Sequence, residues 1–258
     1  MTALIEVKNL SKSFASTTAG TEPLLVVNNL NLSLEYGELV TIFGPNGCGK
    51  STILHLLAGL FPPDMGTVVR NSGKTNSLSI GYVFQNYADT LLPWRTVRGN
   101  IAFPLELRHI SKQEKIGRVN KRMEQFHLME HANKYIYQLS GGLKQLVAIA
   151  QATVYDPQLL LLDEPFSALD YSLSRMLWLR FREFWTDQKV TTVFISHNVD
   201  EAVFLGDRVL VISPRPAQVV EEIVVPFGIE RTLSLLSSSE FFSIRSQVLN
   251  AFEQGRQL

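Results

Sequence analysis

One cysteine, Cys48, is all the thiol that the 258 residues carry. An internal disulfide and a multi-cysteine metal site are thereby excluded, and the chain suits a reducing compartment. No run approaches the ~20 apolar residues of a membrane-spanning helix. The opening Met-Thr-Ala-Leu-Ile-Glu-Val-Lys has an acid where a secretory leader would continue apolar. The chain is therefore expected to be cytosolic by itself, with any membrane attachment supplied by a partner. An excess of charge is lacking too: 24 Lys and Arg face 24 Asp and Glu. That balance argues against a broad basic face, and no nucleic-acid partner is expected. There is no internal repeat and no low-complexity segment. What remains is a chain 45% hydrophobic, enough for a sizeable core in one large domain or two small ones.

The strongest local signal is Gly44-Pro45-Asn46-Gly47-Cys48-Gly49-Lys50-Ser51-Thr52. It fits the phosphate-binding pattern Gly-x-x-x-x-Gly-Lys-Ser/Thr, with an apolar strand before it and a helical pattern after it. Glycines allow the backbone to turn its N–H groups inward, and the helix start adds the positive end of its dipole. Lys50 supplies a cation for the β- and γ-phosphates of a nucleotide, and Ser51 a hydroxyl for Mg²⁺.

Periodicity organises the rest. Ile5–Val7, Val26–Leu34, Glu38–Phe43, Val68–Arg70 and Ile80–Phe84 read as strands, with a hairpin tip at Ser16–Glu22. Residues 95–156 turn helical. Ser111-x-x-Glu114 is a capping signal, and Ile116, Val119, Met123 and Phe126 fall on one helical face. A second helix starts near Gly141 and ends at Asp156-Pro157. Beyond it, strands at Leu159–Leu162, Thr192–Ile195 and Val209–Ile212 alternate with helices at 173–185 and Val199–Leu205. That alternation predicts an α/β core with a parallel sheet. Ser237-x-x-Glu240 signals the start of a terminal amphipathic helix.

Two further clusters carry chemistry. Leu159–Leu162 ends in Asp163 and Glu164. A buried strand holds an acid rigidly at its C-terminal tip, so Asp163 can support Mg²⁺ and Glu164 can polarise a water. Ser140-Gly141-Gly142 opens a helix and makes a second anion-seeking start. One chain seldom needs two, so this one is expected to face a phosphate held by another copy.

In this order the motifs resemble those of ATP-binding-cassette (ABC) ATPases over nearly the whole chain. Gly44–Thr52 resembles the Walker A loop, Gln85 the Q-loop glutamine, and Leu139–Gly142 the family signature. Leu160–Glu164 resembles Walker B with its catalytic glutamate, Ser167–Asp170 the D-loop, and His197 the switch histidine. Phe14 falls where the family has an aromatic that stacks on adenine.

The resemblance implies an α/β fold. A P-loop NTPase core with a parallel sheet carries an N-terminal antiparallel β subdomain and an inserted helical subdomain. The expected divisions are 1–85, 86–156, 157–230 and a helical tail at 231–258. It implies ATP and Mg²⁺ as ligands, with Glu164, His197 and Gln85 catalytic, and Ser51, Gln85 and Asp163 on the metal. Phe14, Gly44–Thr52, Ser140, Gly141, Gly142 and Asp170 would surround the nucleotide. It implies a second ATPase subunit, identical or not, that sandwiches ATP head to tail. The segments Tyr87–Phe103, Val199–Arg208 and Ser213–Pro216 are similar to those of the nitrate/sulfonate/taurine importer branch. The implied partners are then membrane permease subunits and, indirectly, an extracytoplasmic solute-binding protein. The implied location is the cytoplasmic side of the membrane, peripheral to it. Leu91, Leu92 and Trp94 are expected to line a groove for a permease coupling helix.

The chain departs from its family at Leu143, where glutamine is usual, and at Leu146 and Gln151, where arginines are common. Those departures fall on the site completed by this chain's signature, and they suit a heterodimer with unequal sites or a low-activity, regulatory cassette. A soluble, non-transport ABC ATPase competes as a class, but such proteins generally carry long coiled coils or paired cassettes, and neither is present.

Overall fold

Strands β1 (Ile5–Phe14), β2 (Leu24–Leu34) and β3 (Leu39–Phe43) lead into helix α1 (Lys50–Ala58), followed by β4 (Met65–Arg70) and β5 (Ile80–Val83). Three helices come next: α2 (Val97–Glu106), α3 (Lys112–Gln125) and α4 (Gly141–Thr153). The chain then alternates through β6 (Leu159–Asp163), α5 (Tyr171–Gln188), β7 (Thr191–Ser196), α6 (Val199–Leu205) and β8 (Arg208–Ile212). It ends with β9 (Val219–Val224) and α7 (Ser239–Gly255). This computed structural model describes residues 3–15, 22–73, 77–108, 110–167 and 169–256. The hairpin tip expected at Ser16–Glu22 lies, Glu22 apart, outside the described residues.

The strands form two sheets. One is antiparallel, in the order β2-β1-β4; the other runs β5-β6-β7-β3-β8-β9. In the second, β5, β6, β7, β3 and β8 are parallel, and β9 alone pairs antiparallel, against β8. Every residue of β3, β6 and β7 is buried, which is why none of them alternates apolar with exposed polar positions; Leu159–Leu162 is an unbroken apolar run, and the threonines of β3 and β7 are buried with their neighbours. The register sets Phe43 beside Ser196 and Asp163 beside Ile195. The phosphate-loop pattern, the acid pair and His197 therefore leave the sheet at one edge, at the carboxyl ends where open α/β sheets take their ligands.

The helices seal both faces. Trp178, Phe181, Phe184 and Trp185 of α5 are all buried beneath the sheet and α4. Helix α7 leans on β8, β9 and α6; its Phe252 ring lies 5.3 Å from that of Phe43, and Arg245 reaches Asp200 at 2.7 Å.

Several expectations need correction. Strand β9 was not expected; it is an edge strand with an exposed Glu221-Glu222 pair at its centre, so its apolar signal is diluted. Ile116 does not share the buried face of α3, for it is half exposed while Val119, Met123 and Phe126 are buried. Helix α5 covers 171–188: Asp170 caps its start, accepting from Leu173 N at 3.0 Å, and Lys189 ends it in a left-handed conformation at φ +49. The cap of α7 is Ser238, which accepts from Phe241 N at 3.1 Å, not Ser237.

Candidate functional site

A cavity of about 570 Å³ opens at the sheet edge, lined by Asn46, Gly47, Gly49, Lys50, Ser51 and Thr52 of the loop after β3. The same cavity is lined by Phe14, Leu24 and Val26 at an apolar wall, and by Gln85, Glu164 and Arg215. Gly49 has φ +124, and a Cβ there would come within 2.9 Å of the Val26 side chain, so only glycine lets the loop lie against β2. Gly49 is also the N-cap of α1 and offers no side chain, which leaves the first-turn N–H groups of that helix uncapped by protein.

Lys50 is buried with its ammonium aimed back across the loop, donating to the Gly44 and Pro45 carbonyls at 3.0 Å each. Gly44 and Pro45 thus act through Lys50 and do not line the cavity. Cys48 does not line it either. Its side chain is buried in the core cluster beneath the loop, and burial pushes the thiol above its ordinary range despite nearby Lys50.

Glu164 is the hub of the polar wall. Its carboxylate lies 3.6 Å from Lys50 Nζ, accepts from Gln85 Nε2 at 3.3 Å and stands 3.2 Å from His197 Nδ1. Glu164 sits at φ +47, a left-handed conformation that turns its side chain away from the direction of Asp163. Three predicted residues from three separate segments thereby converge on one carboxylate.

Asp163 is buried, and its Oδ1 has no hydrogen-bond partner. Burial raises its carboxyl above the ordinary range; the Ser51 hydroxyl pulls the other way, Glu164 adds to the rise, and His55 and Lys50 oppose it. An unsatisfied buried carboxylate oxygen beside a serine hydroxyl is a donor set that fits Mg²⁺, which takes few protein oxygens and completes its shell from water and phosphate. Gln85 would add a carbonyl oxygen from the adjacent wall.

Ser140, Gly141 and Gly142 do not join the cavity. Ser140 is exposed at the start of α4 and its hydroxyl accepts no capping bond, so this helix start also presents unmet donors to the outside. Gly142 packs where a Cβ would meet Leu173 at 3.0 Å. Asp170 lies at the surface as the cap of α5, with backbone and Ser172 hydrogen bonds holding its carboxyl below the usual range. Leu143 is half buried and packs on the core, Leu146 is fully buried, and Gln151 donates to the Asn100 carbonyl at 3.2 Å. None of the three meets the cavity.

The expected groove is rearranged. Leu91 is buried in the core and cannot line it, whereas Trp94 is 71% exposed. A separate space of about 280 Å³ has walls that include Phe84, Phe103, Leu107, Gln151 and Tyr155, and none of Leu91, Leu92 and Trp94 lines it. Arg215 was noted only as part of a segment, and Val26 only as the end of a strand. Both reach the cavity through β-pairing that brings β2 and the β8–β9 turn beside the loop, a long-range contact without a local motif.

Comparison with known proteins adds to this geometry. A family model described as ABC transporter matches residues 27–167. An uncharacterised ABC transporter ATP-binding protein of Methanocaldococcus jannaschii is 39% identical over 252 residues, covering 97% of this chain and 91% of its own. The taurine import ATP-binding protein TauB of Escherichia coli is 38% identical over 238 residues, covering 89% of this chain and 92% of its own. A solved dimeric ATP-binding cassette, in a post-hydrolysis state with ADP and Pi, superposes with a TM-score of 0.73 at 30% identity. That match covers 87% of this chain and all of the other.

Proposed function

The chain belongs to the ABC transporter family of ATP-hydrolysing cassettes, and from that membership we propose that it powers an importer of a small anion through separate membrane subunits. The taurine-import relatives support a sulfonate-like solute and the importer assignment. Residues 86–156 would then be the helical insertion, and residues 1–85 and 157–230 the two parts of the ATP-binding core. Among the described residues no helix is long and apolar enough to cross a membrane. Attachment at the cytoplasmic face would run through the permease, with the Phe84–Leu107 groove receiving its coupling helix. Leu107, 76% exposed, is an apolar side chain in need of such a cover.

The observation that carries the catalytic reading is the convergence of Lys50, Gln85 and His197 on Glu164 at the mouth of the phosphate loop. ATP would lie with its phosphates on the loop amides and Lys50, and its base toward Phe14. Mg²⁺, held by Ser51 and Asp163 with Gln85 beside them, would neutralise charge on the phosphates. Glu164 would accept a proton from the attacking water, with His197 and Gln85 fixing its orientation. The exposed Ser140 hydroxyl and the α4 start would close over the nucleotide of a second ATPase subunit, and that subunit would do the same in return. Asp170, exposed at the start of α5, would take part in the same contact.

Glu164→Gln keeps the side-chain shape and removes the base. In the assembled transporter it should bind ATP normally and lower turnover by ~100-fold or more. An unchanged rate would move hydrolysis to the partner chain. That outcome would favour the second reading, a low-activity cassette, which Leu143 in the signature motivates.

A further inference from the structure

The β8–β9 turn is built as a fixture of the cavity wall. Ser213 N donates to the Gln218 carbonyl at 3.0 Å, and Ser213 Oγ accepts from Gln218 N at 3.1 Å. Ala217 N donates to the Val26 carbonyl at 2.8 Å, and Asn28 N to the Ala217 carbonyl at 3.1 Å. Gly49 of the phosphate loop packs against both Val26 and Ala217. Turn, strand β2 and loop are therefore one packed unit.

From this turn Arg215 reaches into the wall of the nucleotide cavity, where its Nη2 donates to the Gly47 carbonyl. That is its one hydrogen bond among the described residues, and no carboxylate there pairs with it. A guanidinium has five N–H donors, so most of the fork stays open. Lys50, the other cation lining the cavity, is already engaged with two carbonyls and Glu164. An unpaired guanidinium, anchored at one nitrogen to the phosphate loop and open at the rest, is matched to phosphate oxygens.

We infer that Arg215 contacts the phosphate chain of bound ATP from the β8–β9 turn, adding a second cation to the site from outside the phosphate loop. The inference rests on the nucleotide reading of the cavity. Its test is calorimetric titration of the full chain with ATP and Mg²⁺ at low and high salt, for wild type, Arg215→Gln and Arg215→Lys. Glutamine keeps a polar N–H end, two bonds shorter than the guanidinium nitrogen that meets Gly47, and carries no charge. It should raise the ATP Kd by about tenfold and flatten its salt dependence, while lysine should recover most of the affinity.

Wild-type affinity in Arg215→Gln would overturn the inference alone. So would a loss with an unaltered salt dependence and no rescue by lysine, since that would mean the side chain only braces the loop. A wild-type protein that binds no ATP would overturn the nucleotide reading itself. Melting of the nucleotide-free variants, expected to match wild type, separates lost binding from lost folding.

Discussion

Replacing Glu201 with glutamine should stabilise the protein at alkaline pH and leave it unchanged in acid. Glu201 lies in α6, buried, with one carboxyl oxygen accepting from Trp178 Nε1 at 2.7 Å and the other against Ser196 Oγ. Ser196 Oγ accepts from Asn198 N at 3.0 Å and lies 3.1 Å from the Asn198 carbonyl. A hydroxyl has a single proton, so it serves both that carbonyl and the carboxyl only if Glu201 itself donates. Burial pushes the Glu201 carboxyl from 4.5 to about 7, with the Ser196 and Trp178 hydrogen bonds opposing and Glu164 adding to the rise.

Between those values the folded protein holds a proton that the unfolded chain has released. The stability it lends is complete below pH 4.5 and is lost as pH climbs through about 7. A rise of that size corresponds to about 3 kcal/mol. Glutamine reproduces the protonated pattern, its amide donating to Ser196 and its oxygen accepting from Trp178, and it cannot ionise. Urea unfolding at pH 4 should find the two proteins nearly equal, whereas at pH 8.5 Glu201→Gln should be the more stable by up to about 3 kcal/mol. A gap of the same size at both pH values, or a variant weaker in alkali, would refute the proton-sharing argument.

Leu107→Asp, which puts a charge into the groove beside Phe84, should abolish coupled transport while leaving the ATP hydrolysis of the isolated chain within about twofold, as surface substitutions usually do. A thiol reagent should label Cys48 slowly at neutral pH and faster as pH rises, because the buried thiol ionises late. Labelling should stop ATP binding, since a bulky adduct beneath the loop must displace it; ATP affinity measured after modification decides. Leu143→Gln should raise the turnover of the assembled ATPase if the signature limits it, and an unchanged steady-state rate would reject that limitation.

The local structure around the candidate site was legible because it is written in short contiguous segments. Gly44–Thr52, Asp163-Glu164 and Ser140–Gly142 each declare a turn, a strand tip or a helix start in the residues themselves. The parallel core was legible as well, since strands buried on both faces have no polar side to confuse the period. What escaped depends on distant partners. Arg215 matters because the β8–β9 turn pairs with β2, and nothing within 213–218 announces that contact. Leu91 and Trp94 differ only in which way a non-repeating turn happens to point, so periodicity could not tell the buried residue from the exposed one. Cys48 sits among phosphate-binding residues in sequence, yet the tight loop sends its side chain into the core. The pairing of Arg182 and Arg231 on Asp207, which ties residues after β9 to the core, likewise joins segments that share no local pattern.

The most direct test of the whole account is sedimentation of the Glu164→Gln chain, alone and with any cassette that co-purifies, before and after addition of ATP and Mg²⁺. Two half-sites, each completed by the other's Ser140, predict an ATP-dependent dimer that Ser140→Arg abolishes while each chain still binds ATP. A species that binds ATP yet stays monomeric under all these conditions, or a dimer indifferent to Ser140→Arg, would contradict it.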